Sequence, residues 1–323
     1  MKTINYIQST DWRHVVLVGA VTGVLYYFGV LFALTFVNPV EKIAFFWPSN
    51  AIAAVVLLFA PRRNWPVILG AVVVGYLAAR GPAGGLPPAV LAGFSVANLF
   101  ECAVVALVFG AAWRGDVRLA TMPRFLPYLL IACVIASTLS GIIGAIVVSQ
   151  VLHGATFLRA FVVWFAGDLS GLVLVLPFIV AFLVPDDGMR RLALPAVNSR
   201  SGIIVGLALV LAAAGTFLWL PEGWNPWLFT PYLILGALLW VACRVNLFWT
   251  IIGAFCAGLV EIVATFVGFG LFRFEGMSFT DEVVLMKAAI AVMTAGLLLF
   301  VPKVAFADTA EAEAAAGAGR GDV

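Results

Sequence analysis

Phe161–Phe178 reads FVVWFAGDLSGLVLVLPF, a run apolar enough to cross a bilayer that carries a carboxylate, Asp168, near its middle. About 20 such residues span a hydrocarbon core of about 30 Å as a helix, because each residue rises 1.5 Å and a helix satisfies its own backbone hydrogen bonds in lipid. The rest of the chain follows the same pattern. Of 323 residues, 64% are hydrophobic and only 11% charged, and the mean hydropathy is +1.12. So few polar side chains cannot cover the apolar surface, so the lipid bilayer is the expected solvent.

Apolar runs between polar breaks give ten candidate spans, at about 14–37, 43–60, 64–80, 87–112, 124–151, 158–184, 201–220, 227–243, 246–270 and 281–302. They are continuously apolar and lack the two-residue alternation of a membrane barrel. The expected fold is therefore an all-α polytopic membrane protein with about ten transmembrane helices. Residues 1–13 form a cytoplasmic amino-terminal segment, 14–302 the transmembrane domain and 303–323 a cytoplasmic low-complexity tail that extends the last helix a few turns before fraying. The opening MKTINYIQSTDWRH is polar, and the run after it is too long for a signal-peptide core, so it reads as an anchor.

Positive residues favour cytoplasmic loops, and here they alternate sharply. With the amino terminus inside, Lys2, Arg13, Arg62, Arg63, Arg114, Arg118, Arg124, Arg190, Arg191, Arg200, Arg244, Lys303 and Arg320 are cytoplasmic. Lys42, Arg80, Arg159 and Arg273 fall outside, and Lys287 lies within the last span. Both termini are thus expected in the cytoplasm. A weak internal parallel repeat also shows: Pro48, Asn64, Trp65, Gly70 and Ala71 recur as Pro231, Asn246, Trp249, Gly253 and Ala254.

Several functions are left without material. A net charge of +2 offers no basic face for nucleic acid. Cys102, Cys133, Cys243 and Cys256 sit in apolar runs without CxxC spacing and read as small core residues. Two histidines, His14 and His153, supply neither a metal site nor a catalytic triad. No nucleophile, metal cluster or phosphate-cradling loop accompanies the membrane carboxylates, so no enzyme, cofactor or catalytic residue is expected.

An ionisable group at the bilayer centre costs at least about 2.5 to 3.5 kcal/mol, so it faces a bundle interior or a wet cavity. Asn98 and Glu101 lie one turn apart on the fourth span, and Asp168 lies on the sixth with Trp164 a turn before it. At 1.5 Å per residue, Asn50, Asp168, Asn98 and Glu101 come out roughly 10, 13, 16 and 21 Å below the outer surface. They could line one polar cavity, with Trp47 beside Asn50. Glu261 and Lys287 fall at similar depth on consecutive spans and read as a structural ion pair, with snorkelling of Lys287 to the outer surface as the other option. Trp12, Trp47, Trp65, Trp113, Trp224, Trp227 and Trp249 cluster at predicted helix ends, where interfacial rings sit. FWPSN and GLPPAV are expected to break or start helices at the outer surface, and the glycines of GVLYYFG and SGIIGA read as packing faces.

Four segments, in order, carry a resemblance: FFWPSNAIAAVVLLFAPRRNWPVILGA, then NLFE, then WFAGDLSGLVLVLPFI, then PYLILGALLWVACRVNLFWTIIGAFCAGLVEIVAT. Together they are similar to the bacterial membrane-associated sensor domain of the first MASE type, over about residues 14 to 302. Trp47-Pro48, Asn98 with Glu101, and Gly167-Asp168 with Gly171 match its recurring polar and turn positions. The resemblance implies a multi-pass sensory module of the bacterial inner membrane, usually joined to a histidine kinase, a diguanylate cyclase or a cyclic-di-GMP phosphodiesterase. No GGDEF, EAL or kinase histidine box follows Lys303, so signalling is expected in trans, or through an output domain absent from this sequence.

The expected function is detection of a ligand or partner through Trp47, Asn50, Asn98, Glu101, Trp164 and Asp168. The partner would be a cytoplasmic signalling enzyme or another membrane protein, with a homo-oligomer open. Two alternatives come from other classes. A secondary transporter or proton-coupled carrier would also use ionisable groups at depth, although paired Gly/Pro-interrupted spans are not evident and only Pro177 could break the sixth. A passive assembly partner would need only the packing glycines.

Overall fold

The computed structural model describes residues 2–37, 43–114, 117, 122–153, 155–183, 247–266, 276 and 278–318. Among them the fold is all helical: α1 (Lys2–Gln8), α2 (Trp12–Leu34), α3 (Ser49–Phe59), α4 (Trp65–Gly84), α5 (Pro88–Ala112), α6 (Met122–Val147), α7 (Phe157–Leu183), α8 (Leu247–Phe266) and α9 (Phe279–Ala318). Four helices, Trp12–Leu34, Pro88–Ala112, Arg124–Leu152 and Phe157–Leu183, are long and apolar enough to cross a membrane. The expected spans 201–220 and 227–243 lie outside the described residues, as do Pro231 and Asn246 of the internal echo.

Local chemistry sets the helix ends. The Asp11 side chain accepts the Arg13 backbone N–H at 3.0 Å and caps α2. Pro88 opens α5, where a missing N–H costs nothing, and α4 stops at Gly85, in the left-handed region with φ +53°. α6 passes through a π-helical turn, Val148–Leu152, and ends at His153 with φ +51°. Pro177 does not break α7, which runs on to Leu183. The last helix continues past the expected end of the span to Ala318.

The span expected over 43–60 is corrected. Ile43–Trp47 are not helical, although Ile43, Ala44, Phe45, Phe46 and Trp47 are all buried, and the helix begins only at Ser49. Pro48 is the cause: it has no N–H to donate into a preceding turn and disfavours helical backbone in the residue before it. Buried backbone outside a helix needs hydrogen-bond partners of its own, and part of it is paired. Phe45 N–H donates to the Phe36 carbonyl at 2.7 Å, beside an isolated bridge between Val37 and Ala44. FWPSN does start a helix, at Ser49, and its residues are buried inside the protein.

α3 is thus a short helix at the centre, packed on α2, α4, α5 and α7. α7 lies against α3, α6, α8 and α9. Gly171 permits its approach to α3, since a Cβ there would collide with the Trp47 carbonyl. Gly144 likewise leaves room on α6 for the Trp164 indole. Cys102 and Cys133 are buried as expected, whereas Cys256 is exposed on α8 and Cys243 lies outside the described residues.

Candidate functional site

The polar residues of α3, α5, α6 and α7 meet behind the unwound segment. Asn50, in the first turn of α3, is the hub. Its Oδ1 accepts the Tyr26 hydroxyl at 2.7 Å and the Trp47 indole N–H at 3.1 Å. Its Nδ2 donates to Asn98 Oδ1 at 2.9 Å and to a carboxylate oxygen of Glu101. Asn98 Nδ2 in turn donates back to the Phe94 carbonyl one turn earlier, at 2.8 Å. The other Glu101 oxygen accepts from Ser137 at 2.7 Å.

Asp168 completes the network from α7. Its Oδ2 accepts the Ser140 hydroxyl at 3.1 Å, and Ser140 Oγ accepts the Trp164 indole N–H at 3.0 Å. Ser137 and Ser140, three residues apart on α6, thus hold the Glu101 and Asp168 carboxyl groups to one helix. Glu101 and Asn50 are fully enclosed, and Asp168 is 4% exposed. Burial this complete calls for hydrogen-bond partners, and the network supplies them to both polar atoms of Asn50, both oxygens of Glu101 and one oxygen of Asp168.

A cavity opens on one side of these groups. It is lined by Ile43, Ala44 and Trp47 of the unwound segment, Tyr76 and Arg80 of α4, Phe94 and Asn98 of α5, and Trp164 and Asp168 of α7. Its free space, part of it open to the outside, is about 320 Å³, but room for the centre of a water-sized group is only about 20 Å³. As it stands the cavity accommodates one or two waters. Its aromatic walls are ordered: Phe94 meets Trp164 edge-on at 4.8 Å, and Trp47 meets Tyr76 at 6.3 Å.

Trp47, Asn50, Asn98, Glu101, Trp164 and Asp168 are therefore brought together, Trp47, Asn98, Trp164 and Asp168 on the cavity wall and Asn50 and Glu101 behind it. Trp47 is not an interfacial ring. Lys287 is elsewhere, fully buried, its amine donating to the Val163 carbonyl at 3.2 Å, which excludes snorkelling. The side chain of Glu261, its expected partner, lies outside what the structure describes.

Sequence reasoning missed Tyr26, Tyr76, Arg80, Ser137 and Ser140. Arg80, assigned above to the outer surface, lies within α4, is 8% exposed and interacts with Tyr76. The signal was available. Ile68, Val72, Tyr76 and Arg80 recur every four residues on the buried side of α4. Ser137 and Ser140 repeat on α6 the three-residue spacing of Asn98 and Glu101 on α5.

The family model MASE1 matches residues 15–303. No curated protein and no solved structure matches the chain.

Proposed function

The chain belongs to the MASE1 family of membrane-associated sensory domains, and from that premise we propose that it detects a small ligand or a partner through the cavity beside Asp168. The carrying observation is that a buried, non-helical segment meets carboxyl groups of two helices: Trp47 shares the cavity wall with Asp168 and reaches Glu101 through Asn50. Fixed acceptors on Asp168 and Asn98, set among aromatic rings, suit a small hydrogen-bond donor. The present space is small, so occupation by anything larger than water moves the walls. Binding would favour one of two packings of the Trp47 segment against α7.

The remaining parts of the proposal have their own supports. Ten spans with both termini inside agree with the positions of lysine and arginine along the chain. α9 leads towards a cytoplasmic histidine kinase, diguanylate cyclase or phosphodiesterase, acting in trans or as a fused domain. The location proposed is the bacterial inner membrane. No catalytic role is assigned to Asp168 or Glu101, both of which are engaged in structural hydrogen bonds.

The test is co-purification from native membranes in mild detergent, with mass spectrometry of bound small molecules and proteins, comparing wild type with Asp168→Asn. A ligand or signalling enzyme lost in the variant supports the proposal. One observation favours transport as a second reading: two carboxyl groups, Glu101 and Asp168, are enclosed on α5 and α7, as ionisable groups on a solute or proton path would be. Solute uptake by proteoliposomes, with nothing retained on purification, would replace sensing by transport.

A further inference from the structure

Lys287 is fully buried on α9, about two turns from its start. A buried ammonium is costly unless its donors are directed at acceptors, and its surroundings show where they point. Nζ donates to the Val163 carbonyl of α7 at 3.2 Å and stands 5.2 Å from the Phe45 ring centroid. A methyl added at Gly167 would lie 3.3 Å from Nζ, 3.1 Å from the Ala44 carbonyl oxygen and 3.6 Å from that of Phe45. The amine therefore sits where α9, α7 and the unwound segment converge. Asp168, the acid on the cavity wall, is the residue after Gly167.

A second link runs along the same pair of helices. Arg159, near the start of α7, pairs with Asp281, near the start of α9, and Ser278 also donates to Asp281, at 2.6 Å. From Arg159 to Val163 is four residues and from Asp281 to Lys287 is six, so the two links are about one to two turns apart. α7 and α9 thus run in the same direction, joined by polar contacts at two depths. α9 then continues unbroken to Ala318, beyond the expected membrane span.

We propose that Lys287 is a positioning residue that couples the cavity to α9. It does so by holding the unwound segment and the Val163–Asp168 turn of α7 to the helix that leads towards the carboxyl end. The proposal rests on the sensory reading above and adds the route by which a change at the cavity leaves it. A shift of Ala44–Trp47 or of Asp168 moves the Phe45 ring or the Val163 carbonyl against the amine, and α9 follows because the amine is anchored on it.

The test is hydrogen–deuterium exchange by mass spectrometry on the full chain in lipid nanodiscs, read in residues 279–290. Asp168→Asn serves as the perturbation and is introduced alone, with Lys287→Met and with Gly167→Ala. The last variant keeps the charge but crowds the amine, and so covers the case in which Lys287→Met fails to fold. Asp168→Asn alone is expected to change exchange in 279–290 about threefold or more, within the range by which coupled residues influence distant sites. In either second background that change is expected to vanish.

A purely structural lysine would raise exchange in α9 yet leave the Asp168→Asn effect to add on top. That additive result, or no change at 279–290 from Asp168→Asn alone, overturns the coupling. Neither touches the sensory reading, which stands or falls on retention of a ligand or partner.

Discussion

α2 and α7 are nearly interchangeable as strings of letters and opposite in setting. Both are uninterrupted apolar helices of 23 and 27 residues, yet 33% of the apolar window of α2 is buried against 72% of that of α7. α2 turns Val16, Val24 and Phe28 outward and meets α4 through small residues, with Gly75 packed against the Gly23 carbonyl. This is dry packing in which backbones approach closely. α7 meets the unwound segment by the same device, Gly171 against Trp47, but adds Asp168, Trp164 and Ser170 to its enclosed side. Apolarity places both helices in lipid, and the polar minority decides which of them is central.

Substitutions should reproduce that ranking. Gly171→Val forces a side chain into the Trp47 carbonyl, where only backbone movement relieves it. A loss of about 3 kcal/mol or more is expected in reversible unfolding in detergent, or no folded protein at all. Asn50→Leu removes the acceptor of Tyr26 and Trp47 and the donor to Asn98 and Glu101. At about 0.6 kcal/mol per membrane hydrogen bond, roughly 2 to 3 kcal/mol should go, together with any cavity-dependent retention of ligand or partner.

Gly23→Val tests the dry side. The Ala71 carbonyl would lie 2.7 Å from the new Cβ, so a cost of about 1 to 2 kcal/mol is expected without a change in what co-purifies. Val24→Ala, on the outward face, should fall within about 0.5 kcal/mol of wild type. If Gly23→Val abolished retention as fully as Asn50→Leu, the distinction between the two regions would collapse.

Apolar length alone located α2, α4, α5, α6 and α7 in the sequence, and rarity alone marked Asn98, Glu101 and Asp168, since any acid in such a chain demands an explanation. The second span was misjudged because composition does not register where the helical backbone begins. FWPSN is apolar throughout its first half, and only the geometry of Pro48 separates the unwound stretch from α3. Arg80 was read only as a charge on the outer side, because a cation near a helix end is ordinarily interfacial. Its burial depends on Tyr76 and on the segment folding back over α4, a tertiary fact that no local pattern contains. Ser137 and Ser140 passed unnoticed because serine is common in membrane helices, and partners on other helices give these two their meaning.

The central claim is that the break before α3 and the acid on α7 form one site. Backbone and side-chain NMR chemical shifts of residues 43–59 in nanodiscs, compared between wild type and Asp168→Asn, test it most directly. The account predicts non-helical shifts for Ile43–Trp47, helical shifts from Ser49, and perturbations by the variant concentrated at the Trp47 indole and the Asn50 and Asn98 amides. Helical shifts throughout 43–59, or an Asp168→Asn spectrum unchanged at those three side chains, would contradict it.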